Sequence, residues 1–564
     1  MDYIKELLCD SEKLKKKSYI LSQMYQERSK YEPAWKQLSK YIFPMRGRFY
    51  ENGGTMEGQR RDLFMTDSYP MEAATKCAAG IHSGLTSPSR PWFEISLQDE
   101  EKAEFHPVRM WLDDCHDIMM GLFARNNTYD ALYQLDGELV QFGTGACLML
   151  QDYNHAMWHR SYTCGEYAGG VDARGKVCRF SRKMEMDAYQ MIKEFGEEYV
   201  SEAVRSAYKQ GNMTERFAVN MIIERNDKYD PDKPVFGGFK WRSYYWEEGR
   251  TDQFLKISGY HEQPFLMPRW LVIANEIYGV GPGQYAIGNC MQLQQIERYK
   301  LRATENDADP AMVFPSSMKK ANTMPGSKNY VNDGVQMQAY PLVPPGAKRY
   351  EGYVMLAQDK RQQIDSAFYV DLMMMLASRD NPQMTAREVA ERHEEKLLML
   401  APVLERQHGE VLEPLIMRMF GICHRNGLFP PMPEEIKPEE LKINFVSLLA
   451  QAQRMVEVTS LEKTVGFVGN LVAVYPEARD IIDIDEAVRL QAIRNGTPES
   501  VMRSKEDVEA IRKQRAQAEA QAKQTEQLMA AGAPARDMAQ AARLLADTPA
   551  DGSNALEALL RGGI

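Results

Sequence analysis

At 564 residues, 44% of them hydrophobic and 26% charged, the chain is too long for one ordinary core, and about 100–200 residues per domain gives three or four units. The formal charge of −10 argues against a protein that grips nucleic acid tightly. It is compatible with one along which nucleic acid slides, because a surface with few cations has few counterion-releasing contacts to break. No apolar run approaches the roughly 18 residues of a membrane span, and the order Met1-Asp2-Tyr3-Ile4-Lys5-Glu6 is not that of a signal peptide, so folding in a cytoplasm is expected.

Residues 3 to 40 carry apolar positions at helical spacing (Ile4, Leu7, Leu8, Tyr19, Leu21, Met24, Tyr25) and end at Pro44 and Gly47, which predicts two helices closed by a turn. From Asp67 to Leu85 the small residues Ala73, Ala74, Ala78, Ala79 and Gly80 predict a helix packed closely against another backbone. Ser87-Pro88-Ser89-Arg90-Pro91 stops it, and Trp92 to Leu97 alternates like a strand. Residues 105 to 140 are again helical in pattern. Residues 142 to 275 are mixed, with strand-like runs at Ala146 to Asp152 and Trp270 to Ala274 and a helical insert near Met184 to Gln210.

The eight cysteines are scattered with no C-x-x-C pair, so reduced, mostly buried thiols are expected and neither a zinc ribbon nor a thioredoxin-type site. His155, His159, Cys164 and Cys178 are the nearest thing to a metal cluster, but the region reads as hairpins, which do not align the histidines. No metal and no cofactor is expected.

Tyr278-Gly279-Val280-Gly281-Pro282-Gly283 then forms a turn that opens a helix, Gln284 to about Thr304, about 30 Å long at 1.5 Å per residue. Asp309-Pro310, Pro315, Pro325-Gly326 and Pro344-Pro345-Gly346 punctuate two β-capable runs, Ala311 to Phe314 and Val335 to Val343. A second helix of similar length follows from about Gly352 to Met375. Two equal helices flanking a small Pro/Gly-rich β module make a stalk with a tip.

Ser378 to Met384 is a polar loop closed by Thr385-Ala386-Arg387-Glu388, whose Thr and Glu match a capping box. The helix after it reaches almost to Gly421, interrupted at Pro402 and Pro414, with Leu397, Leu400, Val403, Leu404, Val411, Leu415 and Ile416 as its buried stripe. A strand-like Leu441 to Val446 and several helices follow. The tail from about Pro498 is rich in Ala, Gln, Arg and Glu and has little core of its own; residues 546 to 564 read as disordered.

Several phrases, in order, resemble the bacteriophage head-to-tail connecting (portal) proteins of short-tailed phages. They are Trp35 with Tyr41-Ile42-Phe43-Pro44, Asp67-Ser68 with the Ala-rich helix and Gly84-Leu85-Thr86-Ser87-Pro88-Ser89-Arg90-Pro91-Trp92-Phe93, and Phe142-Gly143-Thr144-Gly145. Tyr278 to Gly283, Gln383-Met384-Thr385-Ala386-Arg387-Glu388-Val389 with Arg392, and Leu449-Ala450-Gln451-Ala452-Gln453-Arg454 complete the set. The resemblance implies an α+β, mainly helical fold of portal-type architecture. Residues 1–283 with 386–480 would form a wing that includes a long kinked helix, 284–305 and 352–376 a two-helix stem, 306–351 a small β clip, 377–385 a tunnel loop, and 481–564 a helical crown.

The same resemblance implies a ring of twelve copies at one capsid vertex, through which double-stranded DNA passes during genome packaging and ejection. Its partners would be terminase, the tail adaptor, the major capsid and scaffold proteins and internal core proteins. The protein would reside in the virion after assembly in the host cytoplasm, and no membrane is involved. DNA contacts should be non-specific and to phosphates, since every sequence must pass. Arg379, Asn381 and Gln383 are the candidates for the narrowest point, against the plainer alternative of a solvated interhelix loop. Lys319, Lys320, Lys328, Lys348 and Arg349 in the clip are candidates for partner or DNA contact, against ordinary surface solubility. A non-conducting structural protein of the same particle, a tail adaptor or scaffold, is the alternative.

Enzymatic readings fare poorly. There is no G-x-x-x-x-G-K-[ST] phosphate loop. Gly80-Ile81-His82-Ser83-Gly84 places His82 where a hydrolase elbow needs serine. Gly279 to Gly283 lacks the third glycine position of a dinucleotide fingerprint, and Glu388, His393, Glu394 and Glu395 are explained by helix-surface pairing with Arg387, Arg392 and Lys396.

Overall fold

The computed structural model describes residues 8–49, 61–88, 91–97, 106–212, 214–231, 238–308, 312–313, 340–341, 349–377, 400–433 and 441–445, with short pieces beyond residue 463. Helices α1 (Ser11–Ser29) and α2 (Glu32–Tyr41) fall where the periodicity predicts two helices. Asp10 caps α1 by accepting from the Lys13 amide at 2.9 Å, satisfying one of the free amides of a helix start. Next come α3 (Tyr69–Leu85), strand β1 (Phe93–Leu97), α4 (His106–Arg125) and α5 (Thr128–Phe142).

The mixed region supplies β2 (Ala146–Asp152), β3 (Ala156–Tyr162), β4 (Tyr167–Val171), β5 (Val177–Asp187), the helical insert α6 (Ala188–Phe195) and α7 (Glu202–Lys209), then β6 (Arg216–Arg225), β7 (Trp241–Glu247), β8 (Lys256–Tyr260) and β9 (Phe265–Leu266). Strands β4 to β8 form an antiparallel meander in chain order, while β2 lies between β3 and β9 in a second sheet. Consecutive residues of β6 serve different cores, as the two-residue repeat of a strand requires. Met221 and Ile223 join the core shared with the three-stranded sheet, whereas Ile222 packs under Leu14, Leu21 and Met24 of α1. The insert α6–α7 closes a small core of its own on Val219 and Leu255.

Trp270 to Ala274, expected as a strand, is not one. Leu271 makes an isolated bridge to Val280, and Ala274 sits at φ 53°, a left-handed conformation that a continuous strand cannot contain.

The chain continues with α8 (Pro282–Ala308), the paired strands β10 (Met312–Val313) and β11 (Tyr340–Pro341), α9 (Arg349–Ala367), α10 (Val370–Ala377), a π turn at His408–Leu412, α11 (Glu413–Arg425) and β12 (Leu441–Phe445). Strand β12 pairs antiparallel with β1, Phe93 opposite Phe445. Val411, Leu415, Ile416 and Met419 join the core that Trp92, Trp111 and Phe123 build. Segments before and after the long helices thus share one core, and the fold is α+β with a large helical share. Pro549–Ala550 and Ser553–Asn554 pair antiparallel, within the stretch expected to be disordered.

His155 and His159 do not converge. His155 Nδ1 lies 2.9 Å from Asp152 Oδ2, whereas buried His159 has Thr128 Oγ1 at 2.8 Å and Cys147 Sγ at 4.0 Å. Burial, with the Arg418 charge adding to it, pushes His159 down to about 4. An unfolded histidine titrates near 6.5, so above that pH both states are neutral. As pH falls towards 4 the unfolded chain takes up a proton that the native site refuses, and stability drops by about 3 kcal/mol. Replacing His159→Gln should therefore flatten the loss of unfolding free energy between pH 7 and pH 4.5 by about 2 kcal/mol. Denaturant titration at both pH values measures it, and parallel curves for the two proteins would contradict it.

Candidate functional site

The two long helices and their footing are the candidate site. The footing is a crossing of two glycine-bearing turns. Helix α5 ends in Gly143, left-handed at φ 76°, the usual conformation of a residue just past a helix end. The turn that opens α8 lies directly against it: a β-carbon on Gly143 would stand 2.5 Å from both Gly279 O and Gly281 N. On Gly283 it would stand 2.1 Å from Gln141 O. Trp270 N donates to Gly143 O at 2.9 Å, and Gln284 Nε2 donates to Phe142 O at 2.8 Å. Tyr278 closes the crossing from below, its ring edge-on to Trp35 with centroids 4.9 Å apart and its hydroxyl accepting from Gly169 N at 3.2 Å.

From this footing α8 runs for 27 residues, about 40 Å, with Ala286, Cys290, Leu293, Gln294 and Glu297 on its buried face. It packs along α9, whose buried positions are Ala357 and Ile364. Residues 64–69 strap the pair. Gln294 Oε1 accepts from the Thr66 and Asp67 amides at 2.6 and 3.0 Å, and its Nε2 donates to Asp67 O at 2.7 Å. Arg361 of α9 bridges Asp67 at 2.7 Å and Glu297 at 3.1 Å, and the Tyr69 hydroxyl donates to Asp365. Burial and that carboxylate push the Tyr69 phenol up, so it stays a donor.

The second helix is not continuous to Met375, as its periodicity suggests. It breaks between α9 and α10, where Tyr369 takes φ 54° and stacks on Trp270 with centroids 6.3 Å apart, while Phe368 is fully buried. Beyond the break, α10 meets the small-residue face of α3. A β-carbon on Gly80 would fall 2.5 Å from Met373 Cβ, which is the close backbone approach expected of the Ala-rich helix. The helix after the polar loop is interrupted where Pro414 predicts: the π turn ends there and α11 restarts with proline in its first turn, where a missing amide is tolerated. Pro402 lies within the helical residues 400–407.

Glu410 in the π turn anchors this helix to the body. Its carboxylate accepts from Arg269 N at 2.9 Å, Arg269 Nε at 3.1 Å and Arg406 at 3.1 Å. Arg269, 2% exposed, also donates to Gly175 O at 2.8 Å.

Of the residues singled out in the sequence, Arg379, Asn381, Gln383, Lys319, Lys320, Lys328 and Lys348 lie outside the described residues. Arg349 begins α9, and its side chain also lies outside them. The contacts of Asp67 with Gln294 and Arg361 have no local sequence signal, because they join residues more than 200 positions apart in the chain. The glycine turns were noticed as separate phrases, not as one crossing.

A family model described as bacteriophage head to tail connecting protein matches residues 14–502. The chain belongs to this family. It is 36% identical over 513 residues to a probable portal protein of Bordetella phage BPP-1, covering 89% of this chain and 91% of that protein. It is 35% identical over 548 residues to the portal protein of Salmonella phage epsilon15, covering 96% of each. A chain from the neck of an empty GTA particle is a distant structural likeness, with 12% identity, 76% of this chain and 94% of that chain covered, and a TM-score of 0.36. The phrases at Trp35, Phe142, Tyr278 and Gln383 that resemble this connector family fall inside the matched span.

Proposed function

We propose that this connector-family chain is a portal subunit: twelve copies close into a ring at one capsid vertex, and double-stranded DNA passes through it during packaging and ejection. The role is structural and not enzymatic. Residues 1–283 and 386–480 form the wing, residues 284–305 of α8 and 352–376 of the α9–α10 pair the stem, 306–351 the clip, 377–385 the tunnel loop and 481–564 the crown. Terminase and later the tail adaptor would engage the clip, while major capsid, scaffold and internal core proteins surround the remainder. The ring is built in the host cytoplasm and retained in the virion.

The observation that carries this proposal is the family match across most of the chain. Two features of the helix pair support it. Tyr299 and Leu301 of α8 and Tyr350, Met355 and Leu356 of α9 are exposed, an uncovered apolar set that neighbouring copies around a closed ring would bury. Among the described residues the exposed polar positions of α9 are Glu351, Gln358, Asp359, Gln362, Gln363 and Ser366, while Lys360 and Arg361 are half-buried, which suits a wall that must release every phosphate it meets.

Arg379, Asn381 and Gln383 are proposed to face the channel. Replacing Arg379→Ala should leave rings intact, by negative-stain microscopy, while altering the DNA packaged or retained per particle. Loss of rings in that variant would move Arg379 to a subunit interface.

A further inference from the structure

The turn Phe43 to Arg48 roofs a cavity of about 430 Å³ between β3 and β5, lined by Arg46, Arg48, Arg160, Arg182, Glu138 and Glu166 together with Tyr162 and Thr163. Two of the arginines are already matched. Arg46 lies 3.3 Å from Glu138 and Arg48 3.0 Å from Glu166. Glu138 is further committed to the Thr163 hydroxyl and the Cys164 amide, at 2.9 and 3.1 Å. Gly137 makes room for this arrangement, since a β-carbon there would meet Arg46 at 2.1 Å.

Arg160 and Arg182 are different. Among the described residues no carboxylate comes within ion-pair distance of either, and both guanidinium groups lie over the Tyr162 ring, at 5.8 and 4.2 Å from its centroid. Arg182 is 9% exposed, donates to the Tyr162 hydroxyl at 3.0 Å, and its Nε makes no hydrogen bond. It cannot swing away easily, because it sits mid-strand, opposite Tyr167 of β4 on one side and Met221 of β6 on the other. Holding a guanidinium in such a place without a counter-charge is costly. An oxyanion reached by two guanidinium groups removes that cost through charge-assisted hydrogen bonds. Burial also pushes the Tyr162 phenol up, so its proton remains available as a third donor.

We propose that this cavity is an oxyanion site, in which Arg160, Arg182 and the Tyr162 hydroxyl hold a carboxylate or phosphate group. Two sources share that chemistry. One is free phosphate; the other is an acidic side chain of an adjacent copy, a source that rests on the ring assembly as the free ion does not. The chain carries 79 acidic residues against 69 basic, so a carboxylate is the group a second copy most often presents.

The test uses the full chain and inorganic phosphate, with chloride at matched ionic strength as control. Calorimetric titration should show phosphate binding to the unassembled protein, weakened about tenfold or more in Arg182→Met and in Arg160→Gln by loss of a charge-assisted contact. Arg160 is exposed, so its variants leave the core untouched should Arg182→Met fail to fold. If free phosphate is the occupant, assembled protein binds it as well. If a neighbouring carboxylate is the occupant, assembled protein does not bind phosphate, and Arg160→Glu reduces assembly by size-exclusion chromatography. Absence of phosphate binding by unassembled protein, together with unchanged assembly of Arg160→Glu, overturns the proposal.

Discussion

Replacing Gly143→Ala should destabilise the protein by about 2–5 kcal/mol, the combined cost of overpacking and of a left-handed residue with a side chain, and Gly283→Ala by about 1–3 kcal/mol from overpacking alone. Both new methyl groups would meet backbone atoms, 2.5 and 2.1 Å away, and neither can be relieved by rotating a neighbouring side chain. Gly288→Ala is the control in the same helix. Nothing lies within 4 Å of its added β-carbon, so it should be neutral or stabilise by up to about 1 kcal/mol through helix propensity. Denaturant unfolding of the three variants checks this ranking, and equal stabilities for Gly283→Ala and Gly288→Ala would contradict the crossing. Because α8 grows directly from that crossing, its loss should also misdirect the helix pair.

Replacing Glu410→Ala should cost about 3–5 kcal/mol by leaving the Arg269 charge buried and unpaired. The double variant Arg269→Met with Glu410→Met removes charge and counter-charge together, and should recover much of the loss. Thermal unfolding of the single and double variants separates the two. A double variant that only adds the two single losses would show that the pair is not coupled. The pair links Trp270's neighbour to the helix beyond the proposed tunnel loop, so the double variant also asks whether that helix needs a charged anchor or only a filled space.

The periodicities of the sequence are local signals, and what they foretold is local. The apolar spacing of residues 3 to 40 foretells the first two helices, and the small residues of α3 announce a close approach without naming Met373 as its partner. Trp270 to Ala274 is apolar without being a ladder strand: Trp270 is buried at the crossing, Leu271 and Ile273 are exposed, and Ala274 is left-handed. The break at Tyr369 has no proline or glycine to mark it; stacking on Trp270 is a tertiary contact that overrides helical periodicity. At the candidate site the glycines were visible, but their fit to one another is set across more than 130 residues of chain. The arginines over Tyr162 had no sequence signature, since Arg160 and Arg182 belong to different sheets.

Copies of this chain are proposed to close into a ring with an axial passage. Electron microscopy of the purified full-length chain tests it most directly. Closed rings with a central hole wide enough for a DNA duplex are the predicted result, and open filaments or monomers alone at every concentration tried would contradict it.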